Sequence, residues 1–334
     1  MFLHQSIIQI YFANLGNFLK IEAPKADIMT LFGLFITPEN WCDILKSALQ
    51  AEELGFSSVW IDDHLLNFRE PPEDRLEAWT TITAIAAKTK RIRLGNLVLC
   101  NSFRNPALLG KMVASLDIIS NGRLELGIGA GWYESEYLAY GYPYSSHFDR
   151  ISQLREGLVI IKKMFLEDKF DFNGKYWNLK ECISNPKPLQ NPFPIWVGGT
   201  GPKVTQIAVE LATGLNVSST SMEETKKIFK RVADYCDELG RKYSNFKKSY
   251  FTLVHLTSTN KERKEVIRKY LREWTPTPPK EFFEQLMIGT IEAVTAKINS
   301  YIDEFNFDCF MGRCRGTKTV EDPISAFADE LLTH

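Results

Sequence analysis

Short apolar runs rich in β-branched residues alternate with longer segments of helical period from Met29 onwards. The strand-like runs are residues 31–36, 58–61, 92–99, 124–128, 195–197, 215–219, 250–258 and 309–311. The helical segments are residues 41–54, 77–89, 106–119, 148–167, 203–211, 223–239, 261–274, 291–305 and 320–332. Repeated strand–helix units imply parallel strands with right-handed crossovers, and eight such units close a barrel. We therefore predict an α/β fold, a (β/α)8 TIM barrel, with an open doubly wound sheet as the alternative if the weak last strand is absent.

One segment breaks this alternation. Residues 170–177 place Asn173-Gly174 between alternating apolar side chains, which is the strongest short-range indication of a β-hairpin. We predict an antiparallel insertion there, on the rim of the barrel. Because the alternation begins just after Met29, we predict one barrel domain over residues 29–334 and an N-terminal extension outside it over residues 1–28.

The composition limits which classes of partner and which cellular compartment we expect. The 334 residues carry a net charge of −1, so no large basic field is available for a nucleic-acid backbone. No apolar run approaches the length of about 18 residues that a membrane helix needs. We therefore expect neither a nucleic acid nor a membrane as a partner. The six cysteines are scattered without a C-x-x-C pair, which is typical of reduced thiols in a cytoplasmic protein.

The active sites of such barrels lie where strands end and loops begin. At the end of the second predicted strand, Asp62, Asp63 and His64 follow one another. A histidine there can donate a hydrogen bond or move a proton near neutral pH. The alternative is a loop histidine held by a carboxylate for structural reasons alone, and these residues do not decide between the two.

Two glycine-rich segments follow the fourth and fifth predicted strands. Residues 127–132 read Gly-Ile-Gly-Ala-Gly-Trp, and the backbone of such a run can approach a flat or anionic group. Trp132 and Glu134 stand where a dinucleotide fingerprint needs glycine, so that fingerprint fails. Residues 197–202 read Val-Gly-Gly-Thr-Gly-Pro, and the N–H groups of such a loop at a helix start suit a phosphate. Tight packing turns are the alternative in both cases.

Other catalytic signatures are absent from the sequence. There is no G-x-x-x-x-G-K-[ST], no H-E-x-x-H, no G-x-S-x-G and no cluster of metal ligands. This argues against an ATPase, a zinc protease or a serine hydrolase, and we expect no metal. The residues alone indicate a barrel that binds a phosphate-bearing cofactor or substrate, and they do not specify redox chemistry.

Several strings, in the same order, resemble the luciferase-like flavin and deazaflavin oxidoreductases. They are residues 51–56, 58–64, 91–95, 104–109, 116–123, 127–137, 185–188 and 195–199, with a fainter echo at 288–290. The resemblance covers nearly everything after Met29, is dense as far as Ser219 and is thinner beyond it. The pattern is most similar to members that use the deazaflavin coenzyme F420.

The resemblance implies positions for the cofactor. Asp63 and His64 match a pair beside the cofactor ring, where His64 could exchange a proton with the substrate. The Leu97–Val98 bond falls where relatives have a cis peptide bond that bulges against the ring. The other implied cofactor positions are Ala130, Gly131 and Trp132, which line the cofactor, and Gly198, Gly199 and Thr200, which contact a phosphate.

One departure from the family concerns the acid of the reaction. Some alcohol-oxidising deazaflavin relatives carry a glutamate where this chain has Trp132. Glu134 lies nearby in the sequence and is our second catalytic candidate beside His64. The departure argues against oxidation of a sugar phosphate.

We therefore predict an oxidoreductase that transfers a hydride between coenzyme F420 and a small organic substrate, with a homodimer as the assembly because relatives are often dimers. The first alternative is a monooxygenase that uses reduced FMN and oxygen on the same fold. The second is a non-catalytic barrel that binds a ligand. Binding assays with F420 and with FMN separate the first two.

Overall fold

The computed structural model describes residues 30–66, 74–273 and 279–332. Its strands are β1 (Leu31–Phe35), β2 (Ser58–Ile61), β3 (Arg93–Asn96), β4 (Leu99–Cys100), β5 (Leu124–Gly129), β6 (Lys169–Asn173), β7 (Asn178–Ile183), β8 (Ile195–Gly198), β9 (Gly214–Ser218), β10 (Lys247–Leu256), β11 (Met287–Gly289) and β12 (Cys309–Gly316). Its helices are α1 (Trp41–Leu54), α2 (Ala78–Lys88), α3 (Pro106–Ile119), α4 (Glu134–Ala139), α5 (His147–Leu166), α6 (Pro202–Leu211), α7 (Met222–Glu238), α8 (Asn260–Glu273), α9 (Lys280–Phe283), α10 (Ile291–Phe305) and α11 (Pro323–Leu331).

Eight parallel strands form a closed sheet. The order around the barrel is β1, β2, β3, β5, β8, β9, β10 and β12, and β12 pairs again with β1. The predicted (β/α)8 TIM barrel is confirmed, and the open doubly wound sheet is excluded. The last strand is longer than the predicted 309–311, and its first four residues close the barrel against Leu31–Leu34.

Local sequence explains where the helices begin and end. The Asn40 side chain accepts the N–H groups of Cys42 and Asp43 at the start of α1, and Gly55 ends that helix with a φ of 89°. Asn105 caps α3 in the same way, directly before Pro106. Because these stop and start residues are local, α1 and α3 have the bounds that the sequence predicts.

Two tryptophans fill the interior of the barrel. Trp60 and Trp196 belong to one buried cluster with Phe35, Leu97, Cys309 and Met311. Glycines of neighbouring strands make room for both rings, because a Cβ at Gly95 would lie 2.2 Å from Cζ3 of Trp60 and one at Gly214 would lie 2.6 Å from Cζ3 of Trp196. The strand residues that alternate with these side chains pack outwards against the helices in a larger core.

The third and seventh strands differ from their predictions. The predicted strand 92–99 is interrupted at Leu97–Val98 and continues as β4, which pairs with the end of β5. The seventh strand covers Lys247–Leu256 and not 250–258. Its last three residues pair with β11, a strand of only three residues that the sequence analysis did not predict.

The predicted hairpin is present as the antiparallel pair of β6 and β7. Asn173 pairs with Asn178, so the connection has four residues instead of a two-residue Asn-Gly turn. The Glu156 carboxylate of α5 accepts the N–H groups of Lys175 (2.7 Å) and Tyr176 (3.0 Å) and stabilises this longer turn. The hairpin therefore lies against α5, where Phe170 packs in a buried cluster with Ile160 and Met164 of that helix.

Two other expectations concern the ends and the surroundings of the barrel. Residues 1–28, predicted as an extension, lie outside the described residues, so the proposed boundary stays a prediction. Among the helices of the described ranges, none combines the length and the apolar character that crossing a membrane requires.

Candidate active site

The end of β2 holds Asp63 by several hydrogen bonds. Its carboxylate accepts the N–H of Cys100 (2.8 Å) and both terminal nitrogens of Arg104 (2.7 and 2.8 Å), and the residue is 5% exposed. Burial alone would lower the pKa of the Arg104 guanidinium, but Asp63 and Glu77 more than offset this and raise that pKa. Burial raises the pKa of Asp63 itself, while the hydrogen bonds and charge of Arg104 oppose that shift, and the side chain fixes the loop after β4 to the end of β2.

His64 is held by a carboxylate from another part of the chain. Its Nδ1 lies 3.0 Å from Oε2 and 3.1 Å from Oε1 of Glu136, which is buried in α4. Oε1 of Glu136 also accepts the N–H groups of Leu65 (2.8 Å) and Leu66 (3.0 Å). A carboxylate only accepts hydrogen bonds, so the proton of the contact with His64 belongs to Nδ1. Nε2 is then the nitrogen through which a neutral ring takes up a proton.

Glu134, the second catalytic candidate, is not the glutamate that binds His64. It is exposed in the first turn of α4, whereas Glu136 is buried. Helix α4 is not among the helices predicted from the sequence, so the faces on which the two carboxylates lie follow only from the structure. Residues two positions apart in a helix lie on nearly opposite faces, because each residue turns the chain by about 100°. Predicting α4 would therefore have separated the exposed glutamate from the buried one.

The Leu97–Val98 peptide bond is cis, as the resemblance implied. Leu97 belongs to the buried cluster inside the barrel, and Val98 packs against it. A Cβ at Gly129 would lie 2.9 Å from Cγ2 of Val98, and one at Gly198 would lie 2.7 Å from the same atom. Both glycine segments of the sequence therefore meet at Val98, and their lack of side chains makes room for it.

The loop after β5 brings Trp132 next to His64. Gly131 has a φ of 76°, and a Cβ there would lie 2.0 Å from Oη of Tyr137. The carbonyl of Ala130 accepts a hydrogen bond from the same hydroxyl (3.4 Å). Trp132 is 63% exposed, and its ring centroid lies 5.7 Å from that of His64, with the ring planes at 82°. The loop thus presents a large aromatic surface beside the imidazole.

The loop after β8 leads into the start of α6. Gly199 has a φ of 135°, and the Thr200 carbonyl accepts a hydrogen bond from Nη1 of Arg231 (2.8 Å). Gly201 precedes the helix, and Pro202 is its first residue. No side chain caps this helix start, so backbone N–H groups there are suited to an anion, as the sequence analysis expected.

The structure brings together most of the residues that the sequence selected. His64 and Trp132 are neighbours, and Val98 contacts the glycine segments of both later loops. Asp63 is directed instead towards Arg104, and Glu134 is exposed. The arrangement combines a proton-exchanging imidazole, an apolar surface at the mouth of the barrel and a glycine loop at a helix start. Those are the parts that a flat cofactor with an anionic tail requires.

Comparison with known proteins gives the same fold and related sequences. A solved F420-dependent secondary alcohol dehydrogenase, in complex with an F420–acetone adduct, superposes with a TM-score of 0.78. It has 21% sequence identity, and the match covers 91% of this chain and 98% of that chain. At this level of identity the likeness supports the fold alone.

Two curated relatives share more sequence over a shorter stretch. The F420-dependent glucose-6-phosphate dehydrogenase of Amycolatopsis mediterranei is 33% identical over 178 residues, which is 53% of each chain. The oxygenase component of the flavin-dependent trigonelline monooxygenase of Acinetobacter baylyi is 34% identical over 194 residues, 56% of this chain and 52% of that protein. The chain thus spans about half the length of the curated relatives it matches.

The sequence model of one protein family, described as luciferase-like monooxygenase, matches residues 25–303. This match includes the ends of β2, β5 and β8, from which the candidate site is built. The chain belongs to the luciferase-like monooxygenase family.

Proposed function

We propose that this protein is an oxidoreductase that transfers a hydride between coenzyme F420 and a small organic substrate. The observation that carries the proposal is the position of the His64–Glu136 pair beside Trp132 at the mouth of the barrel. In the same region, Gly129 and Gly198 both lie against Val98. The name of one matched relative supports the choice of cofactor, because that relative is an F420-dependent glucose-6-phosphate dehydrogenase.

The residues present fit a deazaflavin or a flavin. The glycines around Val98 form a cradle that any Cβ would fill, so Leu97 and Val98 can support a flat ring. Ala130, Gly131 and Trp132 would line it, and Gly198, Gly199 and Thr200 would contact its phosphate. The bound cofactor would supply a two-electron hydride donor or acceptor.

The chain itself would then move the proton that accompanies the hydride. His64 would take up or release it at Nε2, and Glu136 would hold the ring through Nδ1. Asp63 would act indirectly, because its carboxylate accepts hydrogen bonds from Cys100 and Arg104 and so positions the loop next to the site. Glu134 remains a proposed second acid, and its exposure makes it the weaker candidate of the two glutamates.

The second candidate function is an FMN-dependent monooxygenase. The relative from Acinetobacter baylyi favours it, because that protein is a flavin-dependent monooxygenase and is as similar to this chain as the dehydrogenase is. The same loops could hold the ring and the phosphate of FMN. The two functions therefore differ in the cofactor that binds and in the use of oxygen.

A titration followed by fluorescence separates the proposals. We expect F420 to bind at least about tenfold more tightly than FMN, a difference of about 1.4 kcal/mol. Tight binding of FMN without F420 binding would favour the monooxygenase, and binding of neither would favour a non-catalytic barrel. As a second readout, we expect His64→Ala to lower turnover with a panel of small alcohols, aldehydes and ketones about 100-fold, with F420 affinity retained. His147→Ala is the matched control, because His147 is exposed at the start of α5.

We extend the proposal to assembly and compartment. The protein would work as a homodimer in the cytoplasm, without a nucleic acid or a membrane as partner. All six cysteines are free thiols, which supports a reducing compartment. Light scattering should give a mass of twice the 38.3 kDa of one chain, and a monomer at micromolar concentration would contradict the dimer.

A further inference from the structure

Two arginines point into the barrel from the end of its last strand. Successive side chains of a strand alternate between its two faces. On β12, Cys309 and Met311 lie in the buried interior cluster, so Arg313 and Arg315 continue the same inward face towards the mouth. The Arg313 guanidinium carbon accordingly lies 5.9 Å from the ring centroid of Phe35, a residue of the interior cluster.

Neither arginine has a hydrogen-bonding or ion-pair partner in the part of the chain that the structure describes. Nε of Arg313 is buried without a partner. Asp62 and Glu39 influence Arg313 electrostatically, but neither lies within salt-bridge distance of it, and the Asp62 carboxylate is paired with Arg75. Burial, followed by the charge of Arg315, lowers the pKa of Arg313 to about 10, so the Arg313 guanidinium stays charged at neutral pH.

The neighbouring strand adds no negative charge. His255 of β10 lies beside Arg315 in the register of the two strands, and its Nδ1 is 2.7 Å from the Tyr270 hydroxyl. Burial, followed by the charges of Arg315 and Lys269, lowers the pKa of His255 to about 4, so this imidazole is neutral at pH 7. At the mouth of the barrel, the guanidinium groups of Arg313 and Arg315 therefore lie side by side, partly shielded from water.

Such an arrangement is unfavourable in the protein alone. Removing a charge from water is costly unless it is paired, and two neighbouring like charges add repulsion. An anionic group that lay between the two guanidinium groups would relieve both effects and could accept charge-assisted hydrogen bonds from each. A cavity of about 230 Å³ adjoins them, and its other lining residues include Phe35, Thr37 and the two acidic residues Glu39 and Asp43.

The position of the two arginines separates them from the proposed phosphate loop. That loop, Gly198–Thr200, follows the fifth barrel strand, β8, whereas Arg313 and Arg315 are on the eighth. Two strands, β9 and β10, lie between β8 and β12 in one direction around the closed sheet and four lie between them in the other, so the two are well separated on the rim of the mouth. The anion at the arginines is therefore distinct from the cofactor phosphate.

We propose that Arg313 and Arg315 bind an oxyanion of the substrate, a carboxylate or a phosphate, so that the enzyme acts on acidic small molecules. The proposal names the substrate class of the proposed oxidoreductase and rests on that function, because an anion bound at the arginines is a substrate only if the enzyme carries out the redox reaction. The binding of the anion itself is a property of the two arginines and can be measured without the redox reaction.

The test measures anion binding by the full chain at constant ionic strength, with inorganic phosphate and succinate as probes and chloride as the balancing salt. The shift of the unfolding temperature and calorimetric titration report binding. We expect Arg313→Gln and Arg315→Gln each to weaken binding of the preferred probe about tenfold or more, which is the loss of one charge-assisted contact. Arg268→Gln, at an exposed arginine of α8, is the control and should bind as the wild type does. Preference for phosphate or for succinate identifies the acidic group.

The same titrations with saturating F420 distinguish the two sources of an anion. Unchanged probe binding in the presence of F420 supports a substrate site. Competition between F420 and the probe, or a tenfold loss of F420 affinity in the folded variants, would assign the arginines to the cofactor tail and overturn the proposal. Equal probe binding by wild type and both variants would also overturn it. Arg313→Lys, which keeps the charge, guards against misfolding and should retain most of the binding. Failure of F420 to bind while probe binding depends on the arginines would contradict only the oxidoreductase proposal.

Discussion

Nδ1 of His64 lies 3.0 Å from Oε2 of Glu136, a residue 72 positions further along the chain. The two belong to loops that follow different barrel strands, and the carboxylate also accepts two backbone N–H groups of the His64 loop. Glu136 thus fixes both the tautomer and the orientation of the imidazole. In the proposed reaction it is a positioning residue, because His64, and not Glu136, exchanges the proton with the substrate.

Glu136→Gln tests this role. The amide still has an oxygen for the backbone N–H groups, but it offers Nδ1 a neutral partner that can also donate, so the imidazole loses its fixed tautomer. We expect kcat to fall about 10- to 100-fold, with little change in the affinity for F420. Steady-state kinetics and the cofactor titration measure the two effects.

Two further variants make that result specific. Glu330→Gln, at an exposed glutamate of α11, should behave as the wild type. Glu134→Gln should have a smaller effect than Glu136→Gln, and the reverse order would show that the exposed glutamate is the one that matters. A Glu136→Gln protein that loses F420 binding and kcat in parallel would point to a purely structural contact.

The close approach of Val98 to Gly198 predicts a second coupled pair. A Cβ at Gly198 would lie 2.7 Å from Cγ2 and 2.9 Å from Cγ1 of Val98. We expect Gly198→Ala to destabilise the protein by about 1–3 kcal/mol through overpacking, measured by denaturant unfolding. Val98→Ala in the same chain should restore part of the loss, since it removes the atoms that clash.

Gly289→Ala is the matched control for that pair. A Cβ there would make only ordinary contacts, the nearest at 3.6 Å from Cβ of Ala293. We expect its unfolding free energy to stay within about 0.5 kcal/mol of the wild type. Additive effects of Gly198→Ala and Val98→Ala, without any restoration, would contradict the direct contact.

Much of the barrel can be predicted from local sequence. The parts that cannot be predicted in this way share one physical cause. The helix 106–119 is bounded by a capping asparagine and a proline at its start, so its limits are local properties. The strand 287–289 has only three residues and exists because it pairs with the end of β10. The last strand extends through Arg313 and Arg315, whose charges conceal it from a search for apolar runs. Tertiary pairing, which one sequence does not display, determines both.

The candidate site shows the same division. The glycine segments and His64 stand out because their residue types are unusual at strand ends. Glu136 does not, because its role depends on which face of a short helix meets a loop 70 residues earlier. The unpaired state of Arg313 and Arg315 also cannot be predicted from the sequence, because it depends on which side chains surround them in the folded protein.

The unpaired state of Arg313 predicts that it destabilises the folded protein in the absence of an anion. Arg313→Met removes a half-buried charge that has no ion pair among the described residues, and it keeps much of the side-chain volume. We expect the unfolding temperature in phosphate-free buffer to rise, by about 1–2 °C for each kcal/mol gained. Calorimetry with and without inorganic phosphate measures the change, and phosphate should no longer stabilise the variant.

Arg123 provides the contrast, because it is a buried arginine with its hydrogen bonds made. It donates to the carbonyl groups of Ser120 (2.7 Å), Ile92 (2.8 Å) and Ala86 (2.8 Å). Arg123→Met leaves these acceptors unpaired and should lower the unfolding free energy by about 3 kcal/mol or more. Equal destabilisation by the two substitutions would mean that Arg313 also has partners in the folded protein in solution.

His255 gives the protein a component of acid sensitivity. Burial, with the charges of Arg315 and Lys269, lowers its pKa from 6.5 to about 4 in the folded chain. Since the unfolded chain binds the proton more readily, the neutral imidazole contributes stability that is fully present above pH 6.5 and is lost as the pH falls from 6.5 towards 4. We expect His255→Gln to lose less stability than the wild type between pH 7 and pH 5, measured by urea unfolding at both values. His147→Gln, at an exposed histidine, should keep the wild-type difference. An unchanged difference in His255→Gln would place the acid sensitivity in the carboxylates instead and would mean that the imidazole is not desolvated beside Arg315.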